Sequence, residues 1–149
     1  MQNRTIDGGG SGIYLRPYSS SSTYYRSYGN RIHNNTIKNW NTYGVYLYYY
    51  HGGPEVIGNS IVQRSNASTN FGYGIYGYRT QNGPRFENNI VQTKGYGIRL
   101  RYYVNYYSSL STERAKIVNN MVTIMPPTST SSDQYGIRLY RAKYVDIWH

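Results

Sequence analysis

Five short segments of the chain alternate apolar and polar residues with a period of two, and each begins with glycine. In the first, Ile13 and Leu15 flank Tyr14, and Arg16 follows on the polar side. A period of two places successive side chains on opposite faces of a β-strand. The segments follow the pattern Gly-aliphatic-x-Leu, with glycine replacing leucine in the third, at residues 12–15, 44–47, 74–77, 97–100 and 136–139. They predict five equivalent strands.

A second signature, an asparagine-rich step that ends in an aliphatic residue, alternates strictly with the first. It occupies residues 3–6, 34–37, 58–61, 88–91 and 119–122. If each step begins a repeat, the repeats cover residues 3–33, 34–57, 58–87, 88–118 and 119–149. The apolar residues expected just before the next step are Ile32, Val56, Phe86, Ile117 and Trp148. No segment keeps a 3.6-residue period, so each repeat predicts about three short strands and no helix.

The repeats resemble the right-handed parallel β-helix family, which includes pectate lyases, alginate lyases and epimerases, phage tailspikes and bacterial surface proteins. The likeness rests on asparagine at a turn, Gly-Ile-x-Leu on a strand and variable loops, and it covers residues 3–149. It implies an all-β, single-stranded parallel solenoid of about five coils, in one domain over residues 1–149. The inserted loops are expected around residues 18–29, 65–72, 102–112 and 126–133. This fold does not by itself imply a chemistry.

Coils stacked about 4.8 Å apart would place equivalent residues directly above one another. One interior stack is expected from Ile13, Val45, Ile75, Ile98 and Ile137, and a second from Leu15, Leu47, Leu100 and Leu139, with a notch at Gly77. A ladder of side-chain amides is expected from Asn35, Asn59, Asn89 and Asn120. We interpret this ladder as structural, because asparagine tolerates a left-handed turn and can bond to its copies above and below.

The composition sets the outer surface apart from this core. The chain has 21 Tyr but only 2 Phe, and tyrosine is favoured where one end of the ring meets water or a partner. Three outward columns are expected along one side of the solenoid, and together they define the Tyr/Arg face. Its residues are Tyr43, Tyr73, Tyr96 and Tyr135, then Tyr14, Tyr46, Tyr76, Arg99 and Arg138, then Arg16, Tyr48, Tyr78, Arg101 and Tyr140.

Three interpretations of the Tyr/Arg face stay open. Tyrosine rings stack on sugars and arginine forks bind carboxylates, sulfates and phosphates, so the face would suit an acidic polysaccharide. It could instead pack against another protein, or cross-strand pairs could merely stabilise the sheet. The net charge of +10 favours polyanionic partners in general. Nucleic acid is not the expected partner, because no nucleic-acid-binding fold is recognised.

No catalytic residue, metal or cofactor is predicted. Hydrolases on this fold need paired carboxylates, and a calcium site needs several oxygens in one place. The repeat positions bring no two of the six acidic residues onto one exposed column; these are Asp7, Glu55, Glu87, Glu113, Asp133 and Asp146. A metal-free lyase built from tyrosine, arginine and histidine stays open. With no cysteine, the chain can form no disulfide.

The ends and the context of the chain give further expectations. No apolar run reaches the roughly 20 residues of a membrane span, and no signal-peptide core follows the first residues. The repeats run to both ends without a capping helix, which indicates a segment of a longer solenoid or subunits that stack end to end. Asn66, in an inserted loop, is the expected glycosylation acceptor.

Together these features predict a non-catalytic structural or adhesive β-helix, such as a fibre, filament or stalk unit. We expect it to lie outside the cell or on its surface, and to contact a protein or an acidic glycan through the Tyr/Arg face. The alternative is a module that binds or cleaves polysaccharide.

Overall fold

The computed structural model describes residues 1–16, 27–49, 51–68, 71–102, 113–127 and 133–149. The four predicted insertions lie partly outside these ranges. The strands are β1 (Thr5–Asp7), β2 (Ser11–Leu15), β3 (Ser27–Tyr28), β4 (Arg31–His33), β5 (Thr36–Trp40), β6 (Tyr43–Tyr48), β7 (His51–Gly52), β8 (Glu55–Ile57), β9 (Ser60–Gln63), β10 (Tyr73–Tyr78), β11 (Arg85–Glu87), β12 (Ile90–Thr93), β13 (Tyr96–Arg101), β14 (Ala115–Val118), β15 (Met121–Ile124), β16 (Tyr135–Tyr140) and β17 (Val145–Trp148).

Three parallel sheets of five strands wind around one core. The first sheet has the order β1-β5-β9-β12-β15, the second β2-β6-β10-β13-β16 and the third β4-β8-β11-β14-β17. Each coil contributes one strand to each sheet, and β3 and β7 form a small additional pair. The predicted all-β parallel solenoid of about five coils is confirmed. No helix long and apolar enough to cross a membrane occurs within the described ranges.

The register reproduces the two interior stacks predicted from the sequence. Ile13, Val45, Ile75, Ile98 and Ile137 align across the second sheet, and so do Leu15, Leu47, Gly77, Leu100 and Leu139. Most of these side chains are buried, while Ile137 and Leu139 on the outermost strand β16 are partly exposed. The expected notch at Gly77 is wrong. A Cβ there would lie 2.7 Å from Cδ2 of Leu100 and 3.2 Å from Cγ2 of Thr80, so these side chains fill the space.

The glycine at the second position of each strand of the second sheet makes a close approach to the first sheet, except Gly136 on the outermost strand. A Cβ on Gly44 would overlap Ile61, and one on Gly97 would overlap Val122. The glycine and the aliphatic residue after it therefore both face the core. The residue before the glycine, such as Tyr43, is turned to the outer surface, where its ring stacks on Tyr46. This glycine column positions the first column of the Tyr/Arg face.

A ladder of buried amides runs along the turn between the third and first sheets. The Nδ2 atoms of Asn35, Asn59 and Asn89 donate to the Oδ1 atoms of Asn59, Asn89 and Asn120 at 2.9–3.0 Å. Each of these Oδ1 atoms also accepts the backbone N–H of the ladder residue one coil earlier. These hydrogen bonds satisfy polar groups that would otherwise be buried without a partner.

Two details of the repeat differ from the sequence prediction. The left-handed residue at this turn is the one before the ladder asparagine, with φ of 52–68° at Asn3, Asn34, Gly58, Asn88 and Asn119. The apolar residue that aligns with Ile117 is Ile147, whereas Trp148 aligns with Val118 on the outer side and is half-exposed. His149 therefore takes the position equivalent to Asn119, so the predicted last repeat is one residue too long.

Candidate functional site

The Tyr/Arg face lies on the outer surface of the second sheet, and the register aligns its residues in three columns. The first is Tyr43, Tyr73, Tyr96 and Tyr135; the second is Tyr14, Tyr46, Tyr76, Arg99 and Arg138; the third contains Tyr48, Tyr78, Arg101 and Tyr140. The Arg16 guanidinium lies over the Tyr48 ring, 5.5 Å from its centroid, at the start of the third column. The structure thus brings all 14 residues onto one surface.

The tyrosine rings of this face stack on one another along the solenoid axis. In the first column, Tyr73 stacks on Tyr43 and Tyr96 with centroid distances of 5.2 and 4.9 Å and interplanar angles of 17° and 5°. In the second column, Tyr46 and Tyr76 are 4.9 Å apart at 4°. The ring spacing matches the coil spacing, because each coil adds one ring to each column.

This stacking corrects two expectations about the Tyr/Arg face. Tyr76 and Tyr96 are only 5% and 4% exposed, because neighbouring rings and guanidiniums cover them. The inner rings also have their faces covered by their own neighbours, so those faces are not open to stack on a sugar. The groups that the inner columns present are ring edges, phenol hydroxyls and guanidinium N–H groups.

In the second column, two arginines follow the three tyrosines and stack on neighbouring rings. The Arg99 guanidinium lies 5.3 Å from the Tyr76 centroid and 4.8 Å from that of Tyr96, and its Nη1 donates to Tyr73 Oη at 3.1 Å. Arg138 Nη1 donates to Tyr96 Oη at 2.8 Å. Such cation–π contacts stabilise a guanidinium without neutralising its charge. The second column is therefore aromatic in its first three coils and cationic in its last two, while Tyr96, Tyr135 and Tyr140 keep rings in those last coils.

A fourth column next to the third was missed by the sequence analysis. It consists of Tyr49, Arg79, Tyr102 and Arg141, which directly follow the four strand residues of the third column and have φ of 50–63°. The sequence pattern predicted outward-facing side chains only as far as the end of each strand. The left-handed conformation instead turns one more side chain toward the same surface, and a tyrosine or arginine at this place in four coils was the available signal.

The tyrosines of the face differ in acidity according to their surroundings. Burial raises the pKa of Tyr43, Tyr46, Tyr73 and Tyr78, because a desolvated phenolate is disfavoured. The pKa of Tyr102 is lowered, first by the hydrogen bond from Arg101 and then by the charges of Arg101 and its arginine neighbours. The pKa of Tyr102, in the fourth column, is therefore shifted in the opposite direction to that of the more buried tyrosines.

The outer surface of the third sheet carries a different column, with the order Arg31, Glu55, Arg85, Lys116 and Asp146. Glu55 lies 3.3 Å from Arg31, 3.4 Å from Arg85 and 3.0 Å from His33 Nε2. Arg85 also pairs with Glu87 at 2.8 Å. Opposite charges thus neutralise one another on this side of the solenoid.

This column contradicts the expectation that no two carboxylates share an exposed column, because Glu55 and Asp146 do. Glu55 and Glu87 also converge on one arginine, Arg85. The hydrogen bonds from Arg85 lower the pKa of Glu87, so this carboxyl group does not suit a general acid. In the described ranges, no group of three or more potential ligands could hold a metal ion. The absence of catalytic residues and cofactors stays a prediction.

Asn66 is exposed and lies in a turn closed by the hydrogen bond from Ala67 N to Arg64 O. Its exposure is compatible with modification, and glycosylation stays a prediction.

Comparison with known proteins agrees with this architecture. A family model for the right-handed β-helix region matches residues 1–147. No curated protein and no solved structure gives a significant match. The match spans nearly the whole chain and includes all three sheets. The chain belongs to the right-handed β-helix family.

Proposed function

We propose that this chain is a non-catalytic, extracellular structural or adhesive unit that binds an acidic glycan or an acidic protein surface through the Tyr/Arg face. The observation that carries the proposal is the separation of charges between faces. Among described residues, ion pairs with Arg31, Arg85 and Arg114 hold carboxylates of the third sheet, and Lys38 pairs with Asp7 on the first.

The Tyr/Arg face has far fewer carboxylates near its arginines. Within the described ranges, the ion pair recorded for this face joins Arg138 to Asp133 at 3.6 Å, and Arg99 and Arg101 form none. These guanidiniums lie over rings, which leave their N–H edges able to donate to an anion. A positive surface along the solenoid also attracts a polyanion over several coils at once.

The stacked tyrosines refine the kind of contact that the face would make. Since most ring faces are covered, recognition would proceed through phenol hydroxyls and guanidiniums rather than through rings stacked on sugars. This favours a partner rich in oxygen acceptors, such as an acidic glycan or a protein surface rich in aspartate and glutamate.

A matched pair of double variants tests this function. R99Q/R138Q removes two charges from the Tyr/Arg face, and R31Q/R114Q removes two from the third sheet. Binding of dextran sulfate and polygalacturonate is measured by isothermal titration calorimetry at fixed salt, with neutral dextran as the control polymer. We expect R99Q/R138Q to weaken binding at least 10-fold more than R31Q/R114Q. Equal weakening would mean that net charge alone attracts the polymer, and no binding by the wild type would remove the acidic-glycan proposal.

A polysaccharide lyase is the second candidate, and one observation favours it. Lyases remove a proton next to a carboxylate, and a phenolate can act as the base. Tyr102, whose pKa is lowered, lies beside Arg101, which could hold such a carboxylate. Incubation with alginate and with pectate, followed by ultraviolet absorbance of unsaturated products, tests it. A rate that disappears in Y102F would favour the lyase, and no product would oppose it.

We also propose that copies of the chain associate end to end through the outermost strands of the second sheet. If β16 of one copy paired with β2 of the next in the register used within the chain, Arg138 would lie over Tyr14, as Arg99 lies over Tyr76. Tyr140 would lie beside Arg16, which already contacts Tyr48. Sedimentation velocity over a concentration series checks this: growing oligomers are expected, and a concentration-independent monomer would contradict it.

A further inference from the structure

The fourth column extends the functional surface beyond the 14 residues of the Tyr/Arg face. Arg79 and Arg141 lie one coil before and one coil after Tyr102, and all three share the left-handed backbone. Backbone hydrogen bonds link these turns, from Arg79 N to Arg101 O and from Tyr102 N to Tyr140 O, both at 2.9 Å. The turns therefore hold these side chains in register at the edge of the second sheet.

Three guanidiniums surround the single ring of Tyr102. The Cζ atoms of Arg101, Arg141 and Arg79 lie 4.9, 5.6 and 5.8 Å from its centroid. Arg101 Nη2 also donates to Tyr102 Oη at 3.4 Å. We name these four residues the Tyr102 cluster. Among the described rings, only that of Tyr102 has three guanidiniums within about 6 Å of its centroid.

Two arginines of the Tyr102 cluster, Arg101 and Arg141, are donors that no carboxylate among the described residues neutralises. In the described ranges, no ion pair with a carboxylate is formed by Arg101 or Arg141, while Asp133 pairs with Arg138 instead. The Nε of Arg101 is buried and has no hydrogen-bond partner among the described atoms. Arg101 and Arg141 are like charges on the same ring, which is unfavourable without a counter-ion. This cost falls when an anion binds between the two arginines.

The geometry favours an oxyanion with more than two acceptor oxygens. The rings of Tyr78 and Tyr140 lie 5.7 and 5.4 Å from the Arg101 Cζ, on coils before and after it. These rings cover the faces of the guanidinium, so its N–H edges are the groups left to bind. A carboxylate offers two oxygens and suits one arginine fork, whereas a sulfate or phosphate ester offers three terminal oxygens to several guanidiniums.

We propose that the Tyr102 cluster is a binding site for a sulfate or phosphate ester group of an anionic polymer. Arg101 and Arg141 bind the oxyanion, Arg79 adds a third positive charge, and the Tyr102 hydroxyl donates a hydrogen bond to it. This inference rests on the proposed function, because Arg101 belongs to the Tyr/Arg face. It names the charged group of the ligand and adds three residues that the face did not contain.

The test compares single variants with equal loss of charge. R101Q and R141Q change the site, and R4Q removes one charge from exposed Arg4, at a turn that leads into the first sheet. The probes are dextran sulfate, dextran phosphate and polygalacturonate, measured by calorimetry at one salt concentration. We expect R101Q and R141Q to weaken binding of the sulfated or the phosphorylated polymer at least 10-fold, and R4Q less than 2-fold. The polymer that the wild type binds more tightly identifies the source of the oxyanion.

Two further measurements show whether the loss of binding in R101Q and R141Q results from a loss of structure. R101K keeps the charge without the fork, so it should fold like the wild type and bind the same polymer at least 3-fold more weakly. Titration of inorganic sulfate into protein labelled with ¹³C at the tyrosine Cζ should shift one resonance strongly. That resonance is assigned to Tyr102 by its absence in Y102F.

The outcomes separate this inference from the function on which it rests. If R101Q and R141Q bind as well as R4Q while R99Q/R138Q is weakened, the Tyr/Arg face stands and the Tyr102 site falls. If polygalacturonate binding falls as much as that of the other two polymers, the preference for a tetrahedral oxyanion is wrong. A wild type that binds none of the three polymers removes both.

Discussion

The outer surfaces of the second and third sheets both stack equivalent side chains from successive coils, but they stack different kinds of side chain. A β-helix places equivalent residues about 4.8 Å apart. A charged residue that is repeated at the same position would therefore lie beside residues of the same charge. The third sheet mixes charges of both signs in one column, with Glu55 between Arg31 and Arg85. The second sheet repeats tyrosine and places each arginine over rings, as Arg99 lies over Tyr96.

This difference is the reason why we propose the second sheet, and not the third, as the surface that contacts a partner. Alternating charges satisfy one another, and an incoming polyanion would have to displace Glu55, Glu87 or Asp146. Ring contacts stabilise an arginine but leave its positive charge intact. Among the described residues, the arginines of the second sheet are paired with carboxylates less often than those of the third, and these are the charges that we propose an acidic ligand contacts.

The largest expected effect concerns the turn that joins the third sheet to the first. Asn59→Ala removes an amide that donates to Ile32 O at 2.8 Å and to Asn89 Oδ1 at 3.0 Å, and an oxygen that accepts from Asn35. Several buried groups lose partners, so the free energy of unfolding should fall by about 4 kcal/mol. Urea denaturation followed by circular dichroism measures this.

The matched control for this variant is Asn119→Gly, at the exposed left-handed position where Gly58 stands in another coil. Its effect should stay below about 1 kcal/mol, since glycine adopts a positive φ without strain. Equal losses in the two variants would mean that the turn conformation, and not the amide ladder, holds this corner.

The second largest effect is expected from a variant that disturbs the contact between the second sheet and the first. Gly97→Ala would place a Cβ against Val122 and close to the Gly136 carbonyl oxygen, which forces the second sheet away from the first. We expect a loss of about 3 kcal/mol in the free energy of unfolding and a disturbed tyrosine near-ultraviolet spectrum. Gly10→Ala, where a Cβ meets nothing within 4 Å, is the control and should lose little. A tolerated Gly97→Ala would show that the sheets do not need this close approach.

Alkaline pH should weaken the second sheet before the third. The pKa of Tyr46 is raised in the folded state, so its contribution to stability is complete below the unfolded pKa of about 10 and is lost as pH rises above it. We expect Tm to fall by about 5 °C or more between pH 9 and pH 11, with a late step in tyrosinate absorbance. Tyr46→Phe should reduce the late step, while Tyr102→Phe should remove an early one, because the pKa of Tyr102 is lowered. Titration of all tyrosines together near pH 10 would contradict this.

The smallest expected effect on stability comes from a variant that removes a paired carboxylate from the third sheet. The arginines beside it then resemble those of the second sheet, which have few carboxylates near them. Glu55→Gln removes the carboxylate shared by Arg31, Arg85 and His33, at a cost of about 1 kcal/mol because the group is partly exposed. It should also create a new binding surface for dextran sulfate. Asp7→Asn makes the same change in charge on the first sheet and is the control. No difference in polymer binding between the two variants would show that charge pairing does not separate the two surfaces.

The sequence was sufficient for the periodic features. The aliphatic stacks and the amide ladder repeat from coil to coil with the same neighbours, so the two signatures alone aligned Ile13 with Val45 and Asn35 with Asn59. It was insufficient where alignment relied on a distant landmark. Glu55 lies 11 residues after Gly44 and Asp146 lies 10 residues after Gly136, so counting from the glycine does not align them, whereas the register of the third sheet does.

Side-chain direction was the second limit of the sequence. Alternation predicts which side of a strand a ring occupies, and it does not say whether the ring face is open or covered by the next coil. Tyr76 and Tyr96 were therefore expected at an exposed face and are buried within it. Likewise, a left-handed residue after a strand, such as Tyr102, cannot be recognised from alternation alone.

Arginine footprinting tests the central claim most directly, because one experiment compares both surfaces. The protein is treated with phenylglyoxal with and without saturating dextran sulfate, and modification of each arginine is quantified by mass spectrometry. The claim predicts that the polymer protects Arg99, Arg101 and Arg138 at least 5-fold and leaves Arg31, Arg85 and Arg114 within 2-fold of their rates without polymer. Equal protection of the two groups, or protection confined to the third sheet, would contradict it.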